Sequence, residues 1–196
     1  YTVDDGNGGT ATATASVSVA AVNDAPVTVA DTAATAEDTP VTILAASLLA
    51  NDTDVEGDAL TITSVSGAVG GTVALDGSGD VVFTPTADFN GAAGFTYTAS
   101  DGTDSATGTA TVSVSPVNDA PVAADDTAAS VEGIATTFLA ADLLANDGDL
   151  DGDALTITAV GNAVNGAASL DGDGNVVYTA AVDSAGPFTF DYTASD

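Results

Sequence analysis

Phe95–Asp101 reads FTYTASD, and Phe190–Asp196 reads FDYTASD, an offset of 190 − 95 = 95 residues. In the first copy Phe95, Tyr97 and Ala99 alternate with polar residues. This period of two is typical of a β-strand that turns one face to a core and the other to solvent. The stretch therefore predicts a buried aromatic strand in an antiparallel sheet, and its repetition predicts that the fold occurs more than once.

Other stretches recur at the same offset, and they define a repeat of about 95 residues. VNDAPV occurs at Val22–Val27 and at Val117–Val122, and DALTIT occurs at Asp58–Thr63 and at Asp153–Thr158. The register predicts three segments: the C-terminal part of one repeat in residues 1–24, a complete repeat in 25–119 and an incomplete repeat in 120–196. Because the chain has no Met and begins with Tyr1, we expect it to be part of a longer protein.

Each repeat has the pattern of an all-β domain. About seven short alternating runs in 95 residues are separated by turn signals such as Asp76-Gly77 and Asn90-Gly91, which favours a two-sheet sandwich. Ala45–Ala50 (AASLLA) is the one stretch expected to form a helical turn. Phe83 is expected in the core beside Phe95 and Tyr97. The predicted fold is therefore a tandem, end-to-end series of antiparallel β-sandwich domains.

The composition excludes several classes of function. The chain has 29 acidic residues, no Lys, Arg or His, and a net charge of −29, so phosphate backbones and anionic membranes are not expected partners. Without Cys, Lys and His, thiolate, Schiff-base and Ser-His chemistry is impossible. A carboxylate-pair glycosidase needs none of these residues, but the acids recur with the domain beside turns, so we expect no enzyme. No apolar run is long enough to insert in a membrane.

Acidic residues are concentrated in one loop of each repeat. Asn51–Leu60 reads NDTDVEGDAL and Asn146–Leu155 reads NDGDLDGDAL. The acids at alternate positions are Asp52, Asp54, Glu56 and Asp58, then Asp147, Asp149, Asp151 and Asp153. Oxygen-only ligands with a Gly for a sharp turn suit Ca²⁺ better than Mg²⁺ or Zn²⁺.

The loop matches only the first half of an EF-hand, because Thr63 and Thr158 stand at the position of the bidentate Glu. The remaining ligands must therefore come from elsewhere in the fold. The alternative is a solvated acidic turn of the kind that halophilic proteins carry.

Two longer stretches carry a family resemblance. TASDGTDSATGTATVSVSPVNDAP (98–121) resembles the end of a cadherin repeat and its linker. LLANDTDVEGDALTIT (48–63) together with FTPTADFNGAAGFTYTASDG (83–102) resembles the bacterial cadherin-like, immunoglobulin-like repeats of giant RTX-type surface adhesins. The resemblance implies Ca²⁺ bound at junctions between consecutive domains, although the D-R-E motif of animal cadherins is absent.

The resemblance also implies a ligand set for each junction. The junction near Asp24 would use Asn23, Asp24, Asp52, Asp54 and Asp101. The junction near Asp119 would use Glu37, Asp88, Asn118, Asp119, Asp147, Asp149 and Asp196. Glu132 and Asp183 repeat Glu37 and Asp88 for a further junction.

The function implied is that of a calcium-rigidified extender, or spacer, in a large bacterial adhesin. Such a chain would lie outside the cell, would be secreted by the type I route, and would act in adhesion and biofilm formation. Its expected partners are calcium ions and neighbouring repeats. Two alternatives stay open: a repeat that itself adheres through a surface glycan or a like repeat, and an acidic extracellular filament protein without specific calcium sites.

Overall fold

The computed structural model describes residues 1–183 and 186–196, and it divides into two compact units, Tyr1–Ser115 and Pro116–Asp196. Unit 1 begins with a short hairpin of β1 (Thr2–Asp4) and β2 (Thr10–Thr12). The strands of its sandwich are β3 (Asp31–Ala36), β4 (Val41–Ile43), β5 (Thr61–Val69), β6 (Gly71–Leu75), β7 (Val81–Pro85), β8 (Gly91–Ser100) and β9 (Ser105–Ser115). Helix α1 (Ala45–Leu48) follows β4 and confirms the predicted helical turn.

The strands of unit 1 form two sheets, ordered β3-β9-β8-β5 and β4-β7-β6. The seven strands from Asp31 to Ser115 agree with the number that the turn spacing predicts. One pairing differs from the antiparallel expectation, because β3 runs parallel to β9. The segment that leads into β3 reaches the sandwich beside the turn that precedes β9. Strand β3 therefore starts at the same end of the sheet as β9 and runs in the same direction.

The core of unit 1 lies between the two sheets. Phe83 from one sheet and Phe95 from the other stack with ring centroids 6.2 Å apart, and Tyr97 is 1% exposed. Val112 and Leu48 belong to the same cluster of buried residues. The predicted core positions are therefore confirmed, and the all-β sandwich follows from strands whose apolar residues alternate with polar ones.

Unit 2 repeats part of this arrangement. Its strands are β10 (Ala135–Phe138), β11 (Thr156–Val164), β12 (Gly166–Leu170), β13 (Val176–Ala180) and β14 (Thr189–Ser195). Helix α2 (Ala140–Leu143) takes the place of α1, and a 3₁₀ turn (Leu144–Asn146) follows it. The sheets are β10-β13-β12 and β11-β14. Among the described residues, no helix is long and apolar enough to cross a membrane.

Candidate cation sites at the start of each repeat

The acidic loop of unit 1 is anchored by Asp52, which is 9% exposed. Its Oδ1 accepts a hydrogen bond from the backbone N–H of Val29 at 2.8 Å, and its Oδ2 accepts one from the hydroxyl of Tyr97 at 3.0 Å. An isolated antiparallel β-bridge between Val27 and Thr53 joins the linker to the residue that follows Asp52. Both carboxylate oxygens of Asp52 are thus used by the protein, so Asp52 ties the linker, the loop and the core together.

Tyr97 contacts a second carboxylate, which sequence analysis did not single out. Its hydroxyl also lies 2.9 Å from Oδ2 of Asp31. Burial raises the pKa of Asp31, and burial together with these two carboxylates raises the pKa of Tyr97 above its usual range. The repeat contains a signal that could have identified Asp31, because an aspartate recurs at the 95-residue offset, as Asp126.

Asp54 has a different environment from Asp52. Its Oδ1 accepts the backbone N–H groups of Glu56 and Asp58, both at 3.0 Å, and these bonds close the loop. Its Oδ2 is buried and has no hydrogen-bond partner. A buried carboxylate oxygen without a donor is costly, because the desolvation of the charge is not repaid. Asp54 therefore differs from Asp52 in having one buried oxygen that no described group of the protein satisfies.

The linker residues Asn23 and Asp24, which precede the sandwich of unit 1, fold against the same loops. The side-chain amide of Asn23 donates to Oδ2 of Asp101 at 3.0 Å and to Oδ2 of Asp104 at 2.9 Å, while the backbone N–H of Asp24 donates to Glu56. The Asn23 amide, followed by the N–H groups of Thr103 and Asp104, lowers the pKa of Asp101. The turn thus brings in Asp104, which the sequence analysis missed.

Unit 2 reproduces these contacts residue by residue. Asp147 accepts from the N–H of Ala124 at 2.8 Å and from the hydroxyl of Tyr192 at 3.0 Å, and that hydroxyl also lies 3.0 Å from Asp126. The linker contacts repeat too: Asn118 donates to Asp196, and the N–H of Asp119 donates to Asp151.

The unpartnered oxygen recurs as well. Oδ1 of Asp149 accepts the N–H groups of Asp151 and Asp153, while its Oδ2 is buried without a partner. Two copies of one sequence pattern thus place a buried carboxylate oxygen without a hydrogen-bond partner in each unit.

Not every predicted ligand joins these clusters. Asp58 and Asp153 are exposed and take part through their backbone N–H groups. Glu37 lies at the opposite end of β9, where its N–H bonds the carbonyl of Ser115. Asp88 is at the same end, with its N–H bonded to Asp38 and carboxylate oxygens of the two residues within 4.8 Å.

In unit 2, Glu132 and Asp183 are both exposed. The roles of Glu37, Asp88, Glu132 and Asp183 as metal ligands stay predictions.

The fold and the acidic loops define paired β-sandwich domains of the cadherin and immunoglobulin type. Residues 22–115 match the family model of the cadherin-like domain, and residues 118–196 match that of the bacterial Ig domain. Together the two matches cover most of the chain, and they support domains of the cadherin-like and bacterial Ig-like classes. Domains of these families are typically non-enzymatic, and bacterial Ig-like domains are usually extracellular or associated with the cell surface. No curated protein matches the sequence.

Solved structures with a related arrangement are distant. The extracellular cadherin domains 1–4 of protocadherin gamma B7 share 16% identity over 87% of this chain and 48% of that one, with a TM-score of 0.42. An endo-fucoidan hydrolase of glycoside hydrolase family 107 shares 23% identity with a TM-score of 0.37. The match covers 87% of this chain, which spans only 28% of the length of the hydrolase.

Proposed function

We propose that this chain is an extracellular spacer whose acidic loops bind calcium at the start of each repeat. The observation that carries the proposal is the buried, unpartnered Oδ2 of Asp54 and its counterpart on Asp149. The chain has no Lys, Arg or His to supply a counter-charge. A bound cation is therefore the simplest way to offset a carboxylate that the fold has removed from water.

The acids and amides in and beside each loop offer ligand types that suit calcium. In unit 1, Asp54 would hold the ion together with carboxylate or amide oxygens of Glu56, Asp101, Asp104 and the linker. In unit 2, the corresponding set is Asp149, Asp151, Asp196, Asn118 and Asp119. All of these donors are hard oxygens, which calcium accepts in sets of six to eight. Asp52 and Asp147 hold the loops in position, because each accepts hydrogen bonds from a core tyrosine and from a backbone N–H group.

Calcium would supply two positive charges to a segment that carries only negative ones. Without the ion, the carboxylates of loop and turn repel each other, and hydrogen bonds such as those of Asn23 and Asp24 hold the linker. With the ion bound, residues of the linker and of the loop coordinate the same calcium, and the joint between them becomes rigid. Extracellular modules of this kind bind calcium at about 10⁻⁴ to 10⁻³ M, so rigidity would develop only outside the cell.

This mechanism suits an extender in a large bacterial adhesin that projects a binding region away from the cell surface. The RTX adhesin context, secretion by the type I route and a role in biofilms all belong to this proposal. The neighbouring repeats and calcium are its partners. The matches to cadherin-like and bacterial Ig domains support the extracellular setting.

Titration calorimetry with CaCl₂ against NaCl of matched ionic strength tests the proposal. We expect saturable heat with CaCl₂ and a thermal transition that rises in calcium and falls again with a chelator. Calcium at 100 times its Kd should stabilise a unit by about 2.7 kcal/mol. Equal responses to CaCl₂ and to the matched NaCl would show a solvated acidic turn and overturn the proposal.

A further inference from the structure

Three asparagines of this chain are followed directly by a glycine: Asn7, Asn90 and Asn165. In such a pair the backbone nitrogen of the glycine can attack the side-chain amide of the asparagine, because no Cβ hinders its approach. The reaction requires that the glycine N–H is free of other hydrogen bonds and that the asparagine side chain can turn toward it. The surroundings of the three pairs differ in both respects.

The Asn90 pair is held by the sheet of unit 1. Gly91 is the first residue of β8 and lies opposite Val114 of β9 in the antiparallel ladder. The side-chain amide of Asn90 donates to Oε2 of Glu37 at 3.4 Å. Attack within this pair would therefore require the start of β8 to open and the amide to leave Glu37.

The Asn165 pair is held in the same way in unit 2. Gly166 is the first residue of β12 and lies opposite Ala180 of β13. The side-chain amide of Asn165 donates to the carbonyl of Pro187 at 3.0 Å, and the backbone carbonyl of Asn165 accepts the N–H of Ala181 at 2.9 Å. Both halves of the pair are thus fixed by residues that are distant in sequence.

Asn7 lies in the turn between β1 and β2, where its side chain is exposed. Oδ1 of Asp5 closes this turn by accepting the backbone N–H groups of Asn7 and Gly9, both at 2.9 Å. Gly8 stands between these two residues, and among the described residues its N–H has no hydrogen-bond partner. The amide of Asn7 donates to the carbonyl of Asp5 within the same turn, at 3.4 Å, so no other element holds the side chain. Asn7 and Gly8 therefore meet both requirements.

The exposure of Asn7 is a property of the turn and not of its place in the chain. YTVDDGNGG from Tyr1 aligns with YTASDGTDS from Tyr97, so Thr103 stands at the position of Asn7 in the complete repeat. Thr103 is exposed although both sheets of its sandwich are present. A complete repeat thus leaves this position of the turn open to water.

We propose that the fold makes Asn7, of these three asparagines, the site of spontaneous deamidation. The backbone nitrogen of Gly8 forms a bond to Cγ of Asn7, the side-chain nitrogen leaves as ammonia, and a cyclic succinimide results. One water molecule then opens the ring at either carbonyl and gives aspartate or isoaspartate. The change neither oxidises nor reduces the chain. It gives the turn of Asp5 a second carboxylate, as the equivalent turn has in Asp101 and Asp104.

Incubation of the full chain at physiological pH and temperature, followed by mass spectrometry of chymotryptic peptides, tests the proposal. Chymotrypsin is suitable because the chain has no Lys or Arg for trypsin. We expect the peptide that contains Asn7 to gain the mass of an amide-to-acid change at least tenfold faster than the peptides that contain Asn90 or Asn165. The variant Asn7→Asp should show no such gain in that peptide, which places the reaction at residue 7.

A parallel incubation in guanidinium chloride separates the effect of the fold from that of the local sequence. The three rates should become similar there, because unfolding releases Gly91 and Gly166 from their strands. Equal rates for the three peptides in the folded chain, or no mass gain at Asn7, would overturn the proposal. So would a preference for Asn7 that is just as large in guanidinium chloride, since the neighbouring residues and not the fold would then cause it.

Discussion

The hydroxyl oxygen of Tyr97 lies 3.0 Å from Oδ2 of Asp52, and the hydroxyl oxygen of Tyr192 lies 3.0 Å from Oδ2 of Asp147. Each pair joins the floor of the sandwich core to the first residues of an acidic loop. A phenol has one hydrogen, yet Tyr97 also lies 2.9 Å from Asp31. Each tyrosine hydroxyl therefore donates to one of its two neighbouring carboxylates at a time, and the loop depends on a core side chain for its position.

Tyr97→Phe should lower the free energy of unfolding of unit 1 by about 1–3 kcal/mol, because it leaves a buried oxygen of Asp52 without a donor. Urea denaturation measures the change. Tyr178→Phe is the control, since the hydroxyl of Tyr178 donates to the neutral carbonyl of Val164. Its loss should cost about 1 kcal/mol. Wild-type stability of Tyr97→Phe would contradict a structural role for the Asp52 contact.

Much of the fold could be predicted because its physical causes are local. Alternation placed Phe95 and Tyr97 in the core, and turn residues separated the strands. The parallel pairing of β3 with β9 could not be predicted in this way, because it depends on the end of the sandwich at which the linker enters. No local pattern encodes that choice.

The candidate site was predictable only in part. The alternating acids identified the loop, but they did not show that Asp52 and Asp54 have opposite roles. Asp52 is satisfied by Val29 and Tyr97, whereas Asp54 keeps one buried oxygen free. Val29 and Tyr97 lie far from Asp52 in the sequence. A tyrosine at a core position does not indicate that its hydroxyl donates a hydrogen bond to a carboxylate.

Asp54→Asn should separate the stability of the loop from its affinity for calcium. The substitution keeps an Oδ1 acceptor for the N–H groups of Glu56 and Asp58 and removes the buried charge. We expect a metal-free unit 1 that is about 1 kcal/mol more stable, because the desolvated carboxylate is gone. The rise in melting temperature on adding calcium should shrink or vanish for unit 1.

Asp58→Asn is the matched control for charge, because Asp58 joins the cluster through its backbone N–H and its side chain is exposed. It should keep most of the response to calcium. Equal losses in Asp54→Asn and Asp58→Asn, measured by calorimetry, would mean that net charge rather than the Asp54 oxygen attracts the ion.

Gly108→Ala should destabilise unit 1 through a single contact. A Cβ at Gly108 would lie 2.2 Å from Cζ of Tyr97, whose side chain is fully buried. Overpacking of this kind costs roughly 1–3 kcal/mol. Gly77→Ala is the control, because its Cβ would meet nothing within 4 Å. Thermal unfolding of the two variants at one pH checks the difference, and equal melting temperatures would refute it.

Asp171→Asn should lower the stability of unit 2 at neutral pH but not in strong acid. The backbone N–H of Asn175, followed by its side chain, lowers the pKa of Asp171 below its ordinary value of 3.8. A lowered pKa in the folded state means that the ionised form contributes stability above the unfolded pKa, and that this contribution is lost as the pH falls through the folded pKa.

The melting temperatures of Asp171→Asn and wild type should therefore differ at pH 7 and converge at pH values below the lowered pKa of Asp171 in the folded state. Asp173→Asn controls for the removal of one charge from the same turn, since Asp173 contributes its backbone N–H to Asp171. A difference between Asp171→Asn and wild type that persists unchanged into acid would show that the carboxylate charge has no part in it.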